Sequence, residues 1–382
     1  INHGIALSAD GKTLYASGAD GVWAWAYDPS TGRNTSRPTQ VIGDFGPTDG
    51  HVTRTLLMSR KAEGMLLVSR GSTSNVDPAA LDASTGVSTI KAFNVSEKPA
   101  PDSQPYSFRN DGKLLGWGLR NSVGIAEEPV TGGIYSMENS VDDMERLGRD
   151  IHRDNPGEEL NFHGYLNGTQ TKEQGGNFGY PECYAAWNVG AIPENDGRIK
   201  VGTQFAMGSL NGSVDDEYCR REKVAPRLTF AAHMAPLDVK FNRDGSAAWV
   251  TFHGSWNRDA PVGYKLSVIP FANGSPTDPP DSTTAAVDIV SNRDVSRCPR
   301  ECFRPVALAW DQQGRLFFSS DATGEIWMIE KDGGGTDGAR PTATTGGAAP
   351  SPGSTGAAVR RFGVDGFAAL MAVVMGLPLV GG

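Results

Sequence analysis

The chain has 382 residues, 38% of them hydrophobic, with 48 glycines, 24 prolines and a formal net charge of −9. That supplies a sizeable apolar core but too many turn-formers for a body built of long helices. The acidic balance and the lack of a basic stripe argue against nucleic acid as a partner and suit a neutral ligand such as a sugar without singling one out. In chain order, the first element is a strand–turn–strand unit, HGIALSADGKTLYAS from His3. The same grammar returns as RTLLMSRKAEGMLLVS from Arg54, VGIAEEPVTGGIYSM from Val123, PLDVKFNRDGSAAWVTF from Pro236 and PVALAWDQQGRLFFSS from Pro305. Period-two alternation on both sides of a glycine-containing turn is the hairpin signal. Its recurrence without helical crossovers predicts an all-β chain of β-propeller blades, in preference to a β-sandwich. Between the third and fourth units, Glu138 to Val224 reads as an insertion of loops. Its Gly175-Gly176 pair would let the backbone turn tightly and approach another surface.

The chain contains no nucleophile elbow, P-loop, dinucleotide fingerprint or H-E-x-x-H zinc helix. Any chemistry must therefore come from loop residues held at one mouth of the propeller channel. Asp49-Gly50-His51 places a histidine before the second unit, as a general base or as an ordinary turn residue. In GLRNSVG, Arg120 and Asn121 set a guanidinium beside an amide at a strand entrance, a pairing able to fork onto a carbonyl or carboxylate. The run ENSVDDMERLGRDIHRDNPGEEL offers oxygens to a hard cation such as calcium but lacks EF-hand spacing, and a solvated acidic loop is the alternative. His233, His253, Arg258 and Arg304, together with Arg120 and the aromatic Trp256, read as a cationic rim suited to a flat polyanionic ligand.

Two further signals concern the compartment. Five N-glycosylation triplets begin at Asn34, Asn94, Asn167, Asn211 and Asn273. At the C-terminus, a Gly/Pro/Ser/Thr-rich stretch precedes the short apolar run from Phe367 to Val380, the pattern of a GPI-anchor signal with Gly353 or Ser354 as attachment site. The expected domains are therefore a propeller over 1–332, a low-complexity spacer over 333–366 and a hydrophobic tail over 367–382. Four cysteines allow three pairings. Cys183–Cys219 with Cys298–Cys302 is the natural one, and a zinc site the weaker rival. Ile1 opens directly into a strand-like segment, so an N-terminal signal is expected to precede it, and if the intact protein has six blades about one is absent from this sequence.

Eight ordered motifs carry a resemblance to a known family: DGH at Asp49, GSTSN at Gly71, GLRNSVG at Gly118, ENSVDDM at Glu138, GGNFGYPE at Gly175, HMAPLDV at His233, HGSWNR at His253 and RPVALAW at Arg304. From about Ile1 to Lys331 the chain resembles the glucose/sorbosone dehydrogenase family, and within it the fungal pyranose dehydrogenases that use pyrroloquinoline quinone (PQQ). The resemblance implies a six-bladed β-propeller that oxidises a sugar at C1 by hydride transfer to PQQ and passes electrons to an external acceptor such as a haem protein. It implies His51 as the base, Arg120 and Asn121 on the quinone oxygens, and the backbone carbonyls of Asn139 and Ser140 on a calcium ion bound to the cofactor. Arg258 and Arg304 then fall where cations meet the PQQ carboxylates. In bacterial members an aspartate orients the base, whereas this chain has Arg70-Gly71-Ser72 there, which leaves the orientation of His51 open. A glycan- or protein-binding propeller without catalysis and a lactonase-type hydrolase are the alternative functions.

Overall fold

The computed structural model describes residues 3–96, 103–195, 197–208, 212–331 and, as a backbone strand, 357–362. All five expected hairpins form, and each is the inner strand pair of its own sheet. They pair Ile5–Leu7 with Thr13–Gly18, Leu56–Met58 with Met65–Arg70, and Ser122–Glu127 with Gly133–Glu138. The remaining two pair Pro236–Phe241 with Ala247–Phe252 and Pro305–Trp310 with Leu316–Ser320. In every one the turn glycine (Gly11, Gly64, Gly132, Gly245, Gly314) has a positive φ, the left-handed conformation that glycine adopts without steric cost.

Two more antiparallel strands complete each sheet. They are Gly21–Asp28 and Thr39–Gly43 in the first, Thr89–Asn94 and Lys113–Trp117 in the second, and Glu158–Tyr165 and Leu228–Phe230 in the third. Lys265–Ala272 and Val287–Ser291 complete the fourth, and Glu325–Lys331 and Ala357–Phe362 the fifth. The result is a β-propeller arrangement of five blades among the described residues. The first strands of successive blades pack on one another around the axis. Apolar clusters fill the wedges between blades: Val22 and Phe45 with Leu66 and Phe93, then Leu67 and Ile90 with Ile125 and Ile134. Tyr135 and Phe162 with Val250 and Phe271, then Trp249 and Val268 with Leu308 and Phe318, fill the next two.

The insertion is more regular than its sequence suggests. Glu158–Tyr165 is a full blade strand, buried on both faces, so it lacks the alternation that marks a half-exposed strand. The rest holds two short ribbons and the helix Asp216–Glu222. Gly176 and Asn177 return to pair in parallel with Gly116 and Trp117, the close approach expected of the glycine pair. Both natural cysteine pairs form, Cys183–Cys219 and Cys298–Cys302. The hydrophobic tail, its attachment site at Gly353 or Ser354 and Asn211 lie outside the described residues.

Candidate active site at the channel mouth

In an antiparallel hairpin, the start of the first strand and the end of the second lie at the same end. His51, Arg120, Asn121, His233 and Arg304 precede first strands, while Ser72, Asn139, Ser140, His253 and Asp321 follow second strands. Topology thus gathers these loops at one mouth of the channel.

His51 is tied to Ser72 through both its backbone N–H and its ring Nδ1. Its backbone N–H donates to the Ser72 carbonyl at 3.0 Å, and Nδ1 lies 2.9 Å from Ser72 Oγ. Ser72 N–H in turn donates to the Arg120 carbonyl at 2.8 Å. Between these loops, Gly71 leaves no room for a side chain: a Cβ there would stand 2.6 Å from Asn121 Oδ1 and 2.7 Å from His51 Cβ. Thr53 donates to Asn121 Oδ1 at 2.6 Å, fixing which way that amide points. Burial, reinforced by the Arg120 charge, lowers the His51 pKa to about 4. The ring is therefore neutral near pH 7, and its Nε2 makes no hydrogen bond among the described residues.

Arg120 is nearly enclosed and well satisfied. Its Nε and one terminal nitrogen donate to the carbonyl and the side-chain oxygen of Asn75 at 3.1 and 2.8 Å. The same nitrogen meets Asp142 at 2.8 Å, and the other reaches the Asn139 carbonyl at 3.4 Å. Asp142 also faces His233 Nδ1 at 3.6 Å, while His233 Nε2 lies 2.6 Å from the His152 carbonyl. Burial lowers the pKa of His233, but Asp142, Glu158 and that carbonyl together outweigh it and hold the histidine above its ordinary value. Burial likewise favours a protonated Asp142, yet His233 and Arg120 keep its carboxyl below the usual range.

The network continues around the rim. His253 and Gly254 donate from their backbones to Ala235 and Met234, which joins the HGSW loop to the His233 turn. Arg304 clamps that loop through the carbonyls of His253 and Gly254 at 3.2 and 2.8 Å. His253 Nε2 meets Asp321 at 3.0 Å; burial lowers its pKa more than Asp321 raises it. Arg258 lies 3.5 Å from Asp154 and keeps a buried Nε without a partner, as does the Asn257 amide nitrogen. Both residues line a cleft of about 440 Å³ with Asp150, His152, Arg153, Asp259 and the largely exposed Trp256. The Ser140 N–H donates to Glu158 at 2.8 Å. Glu158 belongs to a fully buried carboxylate group with Glu138 and Glu159, in which burial raises every pKa, that of Glu159 to about 7.

The expected site residues thus form one connected rim, but not a purely cationic one. Asp142, Asp154 and Asp321 stand beside Arg120, Arg258 and His253. Ser72 and Asn75 were not singled out by residue chemistry, although both lie in GSTSN, a polar run at the end of a blade strand. That position, shared with ENS after the second strand of the third blade and HGSW after the second strand of the fourth, is the signal that could have found them. Among the described residues no three acidic, histidine or cysteine side chains are grouped to hold a metal.

Comparison with known proteins supplies the family. The TrAA12-like family model matches residues 1–332. A "pyrroloquinoline quinone-dependent sugar dehydrogenase" of Hypocrea jecorina is 50% identical, over 88% of this chain and 76% of that protein. A "pyrroloquinoline quinone-dependent pyranose dehydrogenase" of Coprinopsis cinerea is 37% identical over 87% of this chain, which spans 47% of that longer relative. A calcium structure of the Trichoderma reesei carbohydrate-active enzyme of family AA12 superposes with a TM-score of 0.82 at 49% identity, over 86% of this chain and 80% of that one. The chain therefore belongs to the TrAA12-like family, alongside the PQQ-dependent sugar and pyranose dehydrogenases.

Proposed function

We propose that this protein oxidises a sugar, an aldose or 2-keto aldose, at C1 to the lactone with PQQ, and delivers the electrons to an external acceptor such as a haem protein. The observation that carries the reading is His51: a neutral imidazole at the channel mouth whose Nε2 is unbonded among the described residues and which lies in the field of the Arg120 cation. A neutral imidazole is the form that accepts a proton from a sugar hydroxyl. Bound there, PQQ would supply the hydride acceptor, and the protein would supply orientation and electrostatics.

The residues present fit that group. A planar anion would satisfy the Arg258 Nε and the Asn257 amide, which have no partner among the described residues, on the cationic side of a cleft that Asp150 and Asp259 also line. Arg120, held by Asn75 and Asp142, presents a fixed positive charge toward developing negative charge. Asn121 has its side-chain oxygen committed to Thr53, which leaves its NH2 to donate. His233, His253 and Arg304 hold the loops that shape the rim. Calcium wants about six to eight oxygens. The Asn139 and Ser140 carbonyls would give two of them, so the ion would enter with the cofactor and its oxygens rather than before it.

The same reading places the protein outside the cell, tethered through a C-terminal GPI anchor. The four acceptor asparagines among the described residues (Asn34, Asn94, Asn167, Asn273) are all exposed, which supports glycosylation. It also gives the intact wheel six blades. The face of the first sheet away from the second blade carries Ile5, Leu7, Leu14, Trp23 and Trp25, none of them buried. The far face of the fifth carries Phe317, Ile326 and Met328, which are buried, and no apolar cluster joins the two faces among the described residues.

Titration with PQQ, with and without calcium, followed by dye reduction over a panel of sugars, tests the function. Saturable cofactor binding and sugar-dependent reduction that His51→Ala abolishes are expected. Sugar binding without cofactor that survives His51→Ala would replace this reading with a glycan-binding one.

A further inference from the structure

The side chain that turns His51 into a base is identifiable from hydrogen-bond direction. Ser72 is fully buried, and its Oγ lies 2.7 Å from the Ser74 carbonyl. A carbonyl has no hydrogen to give, so the hydroxyl hydrogen belongs to that bond and Oγ faces His51 as an acceptor. The Ser72 carbonyl, 3.1 Å from the same Nδ1, can only accept as well. Two acceptors converge on one ring nitrogen, which satisfies both only when it carries the proton. Nε2 is then left with its lone pair, directed away from Ser72. The other groups acting on this corner are the Arg120 and Asp142 charges and the Tyr180 hydroxyl, which reaches the Asn75 carbonyl at 3.0 Å. None of them offers Nδ1 a competing donor.

We propose that Ser72 is the positioning residue for His51, holding it as the Nδ1–H tautomer through a neutral pair of acceptors, its own hydroxyl and carbonyl, rather than through a carboxylate. The inference rests on the reading of His51 as the base and adds what orients it. It has a chemical consequence. No negative charge touches Nδ1; the Ser72 carbonyl there favours imidazolium less than burial and the Arg120 charge oppose it, and the base remains neutral into acidic solution. A serine here thus moves the working range of the base downward relative to a charged partner at the same place.

Two measurements test it. The first needs no cofactor: long-range ¹⁵N–¹H correlation on the histidine-labelled chain at neutral pH. It should show His51, assigned by loss of its signals in His51→Gln, with a protonated Nδ1 and an unprotonated Nε2. The second is the pH profile of the PQQ-loaded enzyme. Ser72→Ala should lower kcat by roughly tenfold to a hundredfold with a smaller change in KM. Ser72→Thr should restore most of the loss, and Ser72→Asp should move the acid limb to higher pH. An Nε2–H tautomer in the native chain would overturn the proposal, as would a folded Ser72→Ala variant with unchanged kcat and pH profile. Full activity in His51→Gln would sink the assignment of the base instead, and the tautomer measurement would still decide the role of Ser72.

Discussion

At the scale of single residues, the mouth depends on close approach. Gly71 sits where His51 and Asn121 converge, with room for hydrogen only. Gly71→Ala is expected to separate them by a few tenths of an ångström or more and to lower kcat/KM by about a hundredfold, because a misplaced reacting group costs on that order. Circular dichroism should show the fold unchanged. The histidines give a second prediction. Titration followed by NMR should place His51 near 4, His253 below the ordinary value of 6.5 and His233 above it. The signs of their stability contributions follow. His51, depressed by burial, favours the folded state above pH 6.5, and that contribution is lost as the pH falls toward 4. His233, raised by Asp142, stabilises most below 6.5 and loses that contribution as the pH climbs through its raised value.

At the scale of elements, two features of the insertion can be tested separately. The Cys183–Cys219 bridge closes 36 residues and fastens the helix Asp216–Glu222 to the ribbon at Cys183–Ala185, whereas Cys298–Cys302 spans 4. Loop-closure entropy gives about 4 kcal/mol for the longer bridge and about 2 for the shorter. Denaturant unfolding of serine variants should therefore show the first pair costing roughly twice the second. Glu159 is the other feature. Burial raises its pKa from 4.5 to about 7, so its neutral form stabilises below 4.5 and that advantage fades as the pH rises through 7. Glu159→Gln should flatten the fall in melting temperature across that window, and an unchanged slope would show that the carboxylate pair Glu138–Glu159 does not control it.

At the scale of the whole molecule, the five blades form a chain of wedges in which each neighbouring pair shares an apolar core. The half-exposed Trp23 and Trp25 leave an apolar face open on the first blade, whereas Phe317 and Met328 on the outer face of the fifth are already buried. Replacing Trp23 and Trp25 with serine should therefore lower the binding of a hydrophobic dye with little change in melting temperature, and unchanged dye binding would show that this face is covered in solution.

The sequence by itself determined the repeat. Alternation and a turn glycine are local properties of some fifteen residues, so all five hairpins, and with them the blade architecture, were readable before any contact was known. Ordered motifs likewise marked His51, Arg120, Asn121, His233, His253, Arg258 and Arg304 as residues of interest, in the loops that precede or follow blade strands. What only the tertiary structure decided is how they are partnered. The strand Glu158–Tyr165 escaped notice because burial on both faces removes the alternation that reveals a strand. The carboxylates beside the cations are distant in sequence from them, with Asp321 lying 68 residues from His253. The acceptor role of Ser72 depends on which way one hydroxyl hydrogen points, and that is set by a carbonyl at the closed end of its own loop. Hydrogen-bond direction is a property of three-dimensional neighbours, and no spacing in the chain encodes it.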